Sequence, residues 1–221
     1  MLGANTMTLY QELRAAGKAM HAKALGATRH LDFNPIRIAR RMTLPVTGRT
    51  LIFDDEVVQN AFLDFWFHEY RLDGKSMAQG VDPVAATLTP LETEVLEAHC
   101  QARGSFFQTE AVLPGEHQVR LRDLLEPDRS DVLLTDLGLS ESLARIGVRL
   151  ALYCRLVTLR GIAMTSGFSF GFRPERVPGL LQAYRQKMKR VPPENLPEQR
   201  FIFFFQKHRQ FGEEQRYQDV V

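Results

Sequence analysis

Cysteine is nearly absent from this chain. Cys100 and Cys154 are the only two, and they lie far apart in sequence. No Cys-x-x-Cys pair and no Cys/His cluster can be built from them, so neither a zinc site nor a redox pair is expected. Both thiols read as small core residues in a reduced, cytoplasmic setting. Long apolar runs are missing too. The densest, Phe201–Phe205, falls far short of the roughly 20 residues a membrane-spanning helix needs. The opening Met1-Leu2-Gly3-Ala4-Asn5 has no basic stretch followed by an apolar one, so no signal peptide is expected. There is no nucleophile elbow, phosphate loop or metal-ligand spacing, which leaves the catalytic and metal sets empty, implies no cofactor and leans against an enzyme. Net charge is also small, +2 over 221 residues, too little to imply a polyanionic partner by itself.

What charge there is falls unevenly. Residues 1–49 hold eight Lys/Arg and two Asp/Glu, whereas residues 50–110 hold three and eleven. A basic opening beside an acidic block reads first as internal pairing, each pair being individually weak. The apolar share of 44% and charged share of 24% are those of a globular chain able to bury a sizeable core.

Helices are expected first. Thr8–Leu25 carries Leu9, Leu13, Ala16 and Met20 on one stripe, with Thr8 and Gln11 as a capping box and Gly26 as a stop. Asn34-Pro35 marks a turn and Thr47-Gly48 a second, leading into Thr50–Phe53. Asp54–Leu72 is the strongest helical pattern, acidic at its start and dense in Phe62, Phe65, Trp66 and Phe67, with Asp73-Gly74 as its end. Lys75–Leu88 reads as a loop. Thr89-Pro90-Leu91-Glu92 opens a helix to about Arg103, with Gly104 as its stop.

From Ser105 the periodicity changes. Ser105–Leu113, Gln118–Leu125, Asp131–Leu137, Arg149–Leu159 and Ile162–Phe172 are apolar, β-branched or aromatic runs broken by turn signals, the spacing of a small antiparallel sheet or barrel. Ser140–Ile146 reads as one helical turn across the sheet's end. In Ser166–Phe172 aromatics alternate with small residues; that face reads as core, with a base-stacking platform as the alternative. Pro174–Val191 is a helix, Pro192–Pro197 a linker, and Gly212–Val221 a frayed end.

Four groups of residues invite a functional reading. Asp64 and His68, four apart, share a helix face, but no third ligand is spaced nearby, so they read as an exposed ion pair at the helix edge. His99 and Cys100 are neighbours on a helix and point about 100° apart, so they form no dyad. Arg37, Arg40 and Arg41 cluster, and with Arg120, Arg122, Arg155 and Arg160 they supply guanidinium forks suited to phosphate. Phe201, Phe203 and Phe205 are too apolar to be left in water and call for a surface, on this chain or on a protein partner.

The run Ala61-Phe62-Leu63-Asp64-Phe65-Trp66-Phe67 with Arg71-Leu72-Asp73-Gly74 is similar to a segment of bacterial SEC-C-motif-containing proteins. The same order continues through Thr89-Pro90, Val119–Leu125, Arg155-Leu156-Val157 and Thr165-Ser166-Gly167, so the resemblance covers roughly residues 57–185. Those relatives often carry a Cys/His zinc motif beside this segment. This chain has no counterpart, so the resemblance implies architecture without a metal, and the group has no settled activity for the shared segment.

The expected fold is α+β: N-terminal helices packed on an antiparallel sheet or small β-barrel, followed by a C-terminal helix. The expected divisions are a mainly helical part (1–104), a β region with its closing helix (105–191) and a linker with a docking tail (192–221). The expected function is a non-enzymatic binding or adaptor protein working through protein–protein contacts. A nucleic-acid binder using the basic face of the barrel and the Arg37–Arg41 cluster is the alternative. No membrane is implied.

Overall fold

The computed structural model describes residues 4–27, 34–147 and 149–213. Most of the expected frayed end, residues 214–221, lies outside them. The fold is α+β, and the chain divides into two compact units, Ala4–Ala102 and the residues from Arg103 on. Among the described residues no helix is long and apolar enough to cross a membrane.

The first unit is helical. It holds α1 (Ala4–Ala27), α2 (Pro35–Arg41), α3 (Glu56–His68), a single turn α4 (Met77–Gly80) and α5 (Pro90–Gln101). Helix α1 begins before Thr8, so the expected capping box there is not its start. Asn34-Pro35 starts a helix rather than a turn. The Asn34 carboxamide accepts the amides of Ile36 and Arg37, and Pro35 needs no amide partner at the first position. Helix α3 is shorter than expected because Asp73 (φ 52) and Gly74 (φ 81) make a two-residue hairpin turn, pairing β3 (Arg71–Leu72) with β4 (Lys75–Ser76). A similar hairpin, β1 (Val46–Thr47) with β2 (Thr50–Leu51), turns at Gly48 (φ 62). The expected loop after residue 75 contains α4, opened by a Ser76–Gln79 capping box. Helix α5 starts on the Thr89–Glu92 box that the sequence shows. Met20 and Ala24 of α1, Phe62 and Phe65 of α3, and Val95 and Leu96 of α5 are buried. Lys23 of α1 pairs with Glu92 of α5 at 2.6 Å, one case of the basic opening meeting the acidic block.

The second unit is a closed five-stranded barrel with, among the described residues, three α-helices. Its strands are β5 (Arg103–Leu113), β6 (Gln118–Asp123), β7 (Val132–Thr135), β8 (Ala151–Leu159) and β9 (Ile162–Phe172), in the order β5-β6-β7-β9-β8 with β8 closing onto β5. All pairings are antiparallel except β7 with β9. Helix α6 (Leu137–Ile146) lies between the third and fourth strands and is a full helix rather than one turn. Strand order, parallel pair and helix position together are the OB arrangement.

Period-two alternation sorts the barrel's side chains into an inner and an outer set. Phe107 faces Leu152, and both lie in the interior with Val119, Leu121, Leu134, Cys154 and Leu156, plugged by Leu139 and Leu143 of α6. Phe106 faces Tyr153, Tyr153 faces Phe170, and Ala151 faces Phe172, which places the large rings outside. Ser169 and Gly171, opposite Cys154 and Leu152, take the inner positions of β9 and leave room for the interior. The alternating run in β9 is therefore core on its aromatic face, and no base can stack there.

That outer aromatic face is covered by α8 (Leu196–Phe211), with α7 (Val177–Met188) beside it. Phe204 stacks on Tyr153 at 4.6 Å and meets Phe106 at 4.7 Å, while Phe201 meets Phe168 at 5.3 Å. Residues 192–213 thus belong to the barrel unit rather than to a linker and tail. Phe201, Phe203 and Phe205 are 0%, 3% and 1% exposed, so the surface they call for is their own unit, and they offer none to a partner. Arg200 adds a polar tie, donating to the Gly104 carbonyl at 2.8 Å and the Tyr184 hydroxyl at 3.0 Å.

Phe204→Ala is expected to cost the barrel unit about 3–5 kcal/mol in chemical denaturation, as for other large-to-small core changes. Gly104→Ala is expected to cost about 1–3 kcal/mol, because its Cβ would lie 2.7 Å from the Tyr153 hydroxyl oxygen.

Candidate functional site

The seven arginines singled out in the sequence separate into three groups. Arg120 and Arg122 alternate with the buried Val119 and Leu121 along β6, and both are exposed. Across the sheet Arg120 lies opposite Leu133 of β7, an exposed leucine, and opposite Ala111 of β5. Arg122 lies opposite Gln108 and is paired with Glu110. Arg160 (φ 50) and Gly161 (φ 78) form the two-residue turn between β8 and β9. Strand β9 starts beside β7, with Ala163 opposite Leu134, so this turn lies at the Val132 end of β7. Leu121 of β6 is opposite Val132, one residue from Arg122. Register thus brings Arg120, Arg122 and Arg160 to the same end of the β6–β7 face.

Arg155 does not join them. It is 2% exposed on β8, under the side of the barrel nearest Gly104, and a buried guanidinium cannot reach a polyanion. Arg37, Arg40 and Arg41 are exposed on α2, in the first unit. The exposed basic residues therefore fall in two groups, one on each unit.

The mouth of the barrel near β6 also holds an acidic node. The Asp123 carboxylate accepts from the Ser105 hydroxyl at 2.7 Å, Arg103 Nη1 at 2.6 Å, and the amides of Leu125 and Glu126 at 2.9 and 3.1 Å. Burial pushes its carboxyl up, but these four donors outweigh burial and hold it below the ordinary carboxylate value. Arg103 is held in this node by Asp123 and Glu126.

A third constellation was not visible in the sequence. Asp64 and His68 are 7% and 8% exposed, not an exposed edge pair. They are buried because the third partner comes from α5: His68 Nε2 lies 3.0 Å from His99 Nδ1, with the two rings nearly parallel. His68 Nδ1 is 3.0 Å from the Asp64 carbonyl oxygen and 3.2 Å from its Oδ1. Two acceptors around Nδ1 require a proton there, so in the neutral ring Nε2 accepts and His99 Nδ1–H donates. His21 of α1 stands edge-on to His99 at 4.8 Å and to Phe67 at 4.5 Å, and its Nδ1–H donates to the Gly17 carbonyl. Helical spacing carried a faint signal: His99 follows the buried Val95 by four, which puts it on the core stripe. Among the described residues no group of three or more His, Cys, Asp or Glu is arranged to hold a metal ion.

Asp123→Ala is expected to destabilise the barrel unit by about 3 kcal/mol, since it leaves the Arg103 charge and several donors unpaired. With a folded value below the unfolded one, Asp123 contributes stability above the ordinary carboxylate range that is lost as pH falls below about 4. Acid denaturation curves of wild type and variant should converge there.

No curated protein matches this chain, and no solved structure does. A family profile matches residues 4–218, nearly the whole chain. The chain belongs to the family of unknown function DUF7986.

Proposed function

We propose that this protein is a non-enzymatic binding protein whose barrel holds a nucleic-acid strand by its phosphates. The observation that carries the reading is the exposed Arg120 and Arg122 on the second strand of a barrel with OB strand order. In such barrels the face of the second and third strands, with the loops joining strands one to two and four to five, takes oligonucleotides and oligosaccharides. Arg160 belongs to the second of those loops. A guanidinium suits phosphate through its paired donors, so the charge favours the nucleic acid over a neutral glycan.

The outward residues of β6 and β7 include no aromatic ring. Base stacking therefore adds nothing there, and recognition goes through the backbone, with little preference for sequence. The adaptor reading loses the Phe201–Phe205 segment that motivated it, since α8 spends that segment on its own barrel. Neither Cys100, which is exposed rather than a small core residue, nor the buried Cys154 is in a disulfide, and this supports a reducing cytoplasmic setting. The resemblance to the SEC-C group is part of this proposal only for the architecture.

The test is fluorescence anisotropy with labelled single-stranded DNA and RNA across a salt series. Log affinity should fall linearly with log salt. The Arg120→Glu/Arg122→Glu variant should lose roughly tenfold in affinity at low salt and show a shallower slope by about two. A parallel Arg37→Glu/Arg40→Glu/Arg41→Glu variant reports on the α2 patch. No binding at low salt, or loss only in the α2 variant, overturns the barrel assignment.

A further inference from the structure

The histidines of the first unit belong to no part of that reading, and their geometry has a consequence of its own. We propose that His21, His68 and His99 form an acid-operated latch: neutral, they tie α1, α3 and α5 together, and on protonation they release α1.

The hydrogen-bond polarity sets the capacity of the network. In the neutral state the bonds run head to tail, from His99 Nδ1–H to His68 Nε2 and from His68 Nδ1–H to Asp64. With both rings cationic, two N–H groups would be set against each other at 3.0 Å. A proton on His21 would place a cation edge-on to His99 while its Nδ1–H stays on the Gly17 carbonyl.

The charged surroundings offer little to offset this. From α3 the cluster meets Asp64, already engaged with His68, and Glu69 is buried at that helix's end. From α5 it meets His99 itself, with Cys100 on the exposed side. The Lys23–Glu92 pair between α1 and α5 is already neutralised. Helix α4 carries no titratable residue, and Lys75 on β4 is exposed.

Burial first, and the neighbouring His68 second, push His21 down from 6.5 to about 4. Its folded value therefore lies below its unfolded one. Between the two, the unfolded chain takes a proton that the folded chain refuses, so stability falls as pH drops from 6.5 to about 4 and levels below that. For this one group the folding constant of the unit should drop roughly 50-fold between about pH 7 and about pH 4.5.

The full chain carries a single tryptophan, Trp66 on α3, so its fluorescence reports on this unit. Urea denaturation followed at Trp66 from about pH 7 to about pH 4.5 should show that loss. His21→Phe keeps a ring against Phe67 and His99 but cannot titrate, and should flatten the dependence by roughly the same factor. An NMR titration of the His21 ring in the folded wild type should show it neutral down to about pH 5. Either of two results overturns the latch: His21 titrating near 6.5 in the folded chain, or His21→Phe tracking the wild type across the range. If His21→Phe fails to fold, the wild-type titration decides alone.

Discussion

The stacking of α8 on the outer face of β5, β8 and β9 is the contact on which the barrel unit depends. Strand periodicity puts Phe106, Tyr153, Phe168, Phe170 and Phe172 outside, and five large side chains in water would cost more than any turn or cap in the unit supplies. Helix α8 removes them from solvent with Phe201, Phe204 and Phe205. Once that side is covered, the β6–β7 side is left to solvent, and there the outward positions carry Arg120, Arg122 and Leu133. The division between packing side and open side is thus a by-product of where the aromatic residues fall.

Across the two units three buried aspartates, Asp123, Asp136 and Asp64, meet hydrogen-bond donors. Asp123 takes four, and Asp136 caps α6 through the Leu139 amide while also accepting the Thr165 hydroxyl at 2.7 Å. Asp64 serves His68 in the same way. The difference is that Arg103 holds its charge at any ordinary pH, whereas an imidazole does not. The barrel's anchor is thus held by a fixed charge, and that of the helical unit by an imidazole.

Local chemistry was legible in the sequence where one segment sufficed. The Thr89–Glu92 box, the alternation of β6, the apolar run of β8 and the Arg160-Gly161 turn each carry their own signal, and each element lies close to where that signal puts it. The small barrel expected from the five runs is present, but which strands close it has no local signal, because β5 pairs with β8 and β7 with β9 across long separations. Helix α8 is hidden in the sequence for two reasons, although its phenylalanines do call for a surface. Its Phe-Ile-Phe-Phe-Phe run is buried nearly all round and shows no amphipathic period, and Pro193 and Pro197 resemble linker residues although both sit in opening turns that tolerate proline. The histidine network was hidden because its members stand on three helices, and no local pattern links residues 21, 68 and 99.

The narrowest join in the barrel is the parallel one, where β7 and β9 share the single register pair Leu134 with Ala163. Asp136 follows directly after β7, and its bond to Thr165 of β9 crosses that join. The residue that starts the plugging helix therefore also works as a clasp across the weakest seam of the cylinder. Helix initiation and ring closure are thereby coupled in one side chain, so the plug cannot unwind at its first turn without the wall beside it loosening.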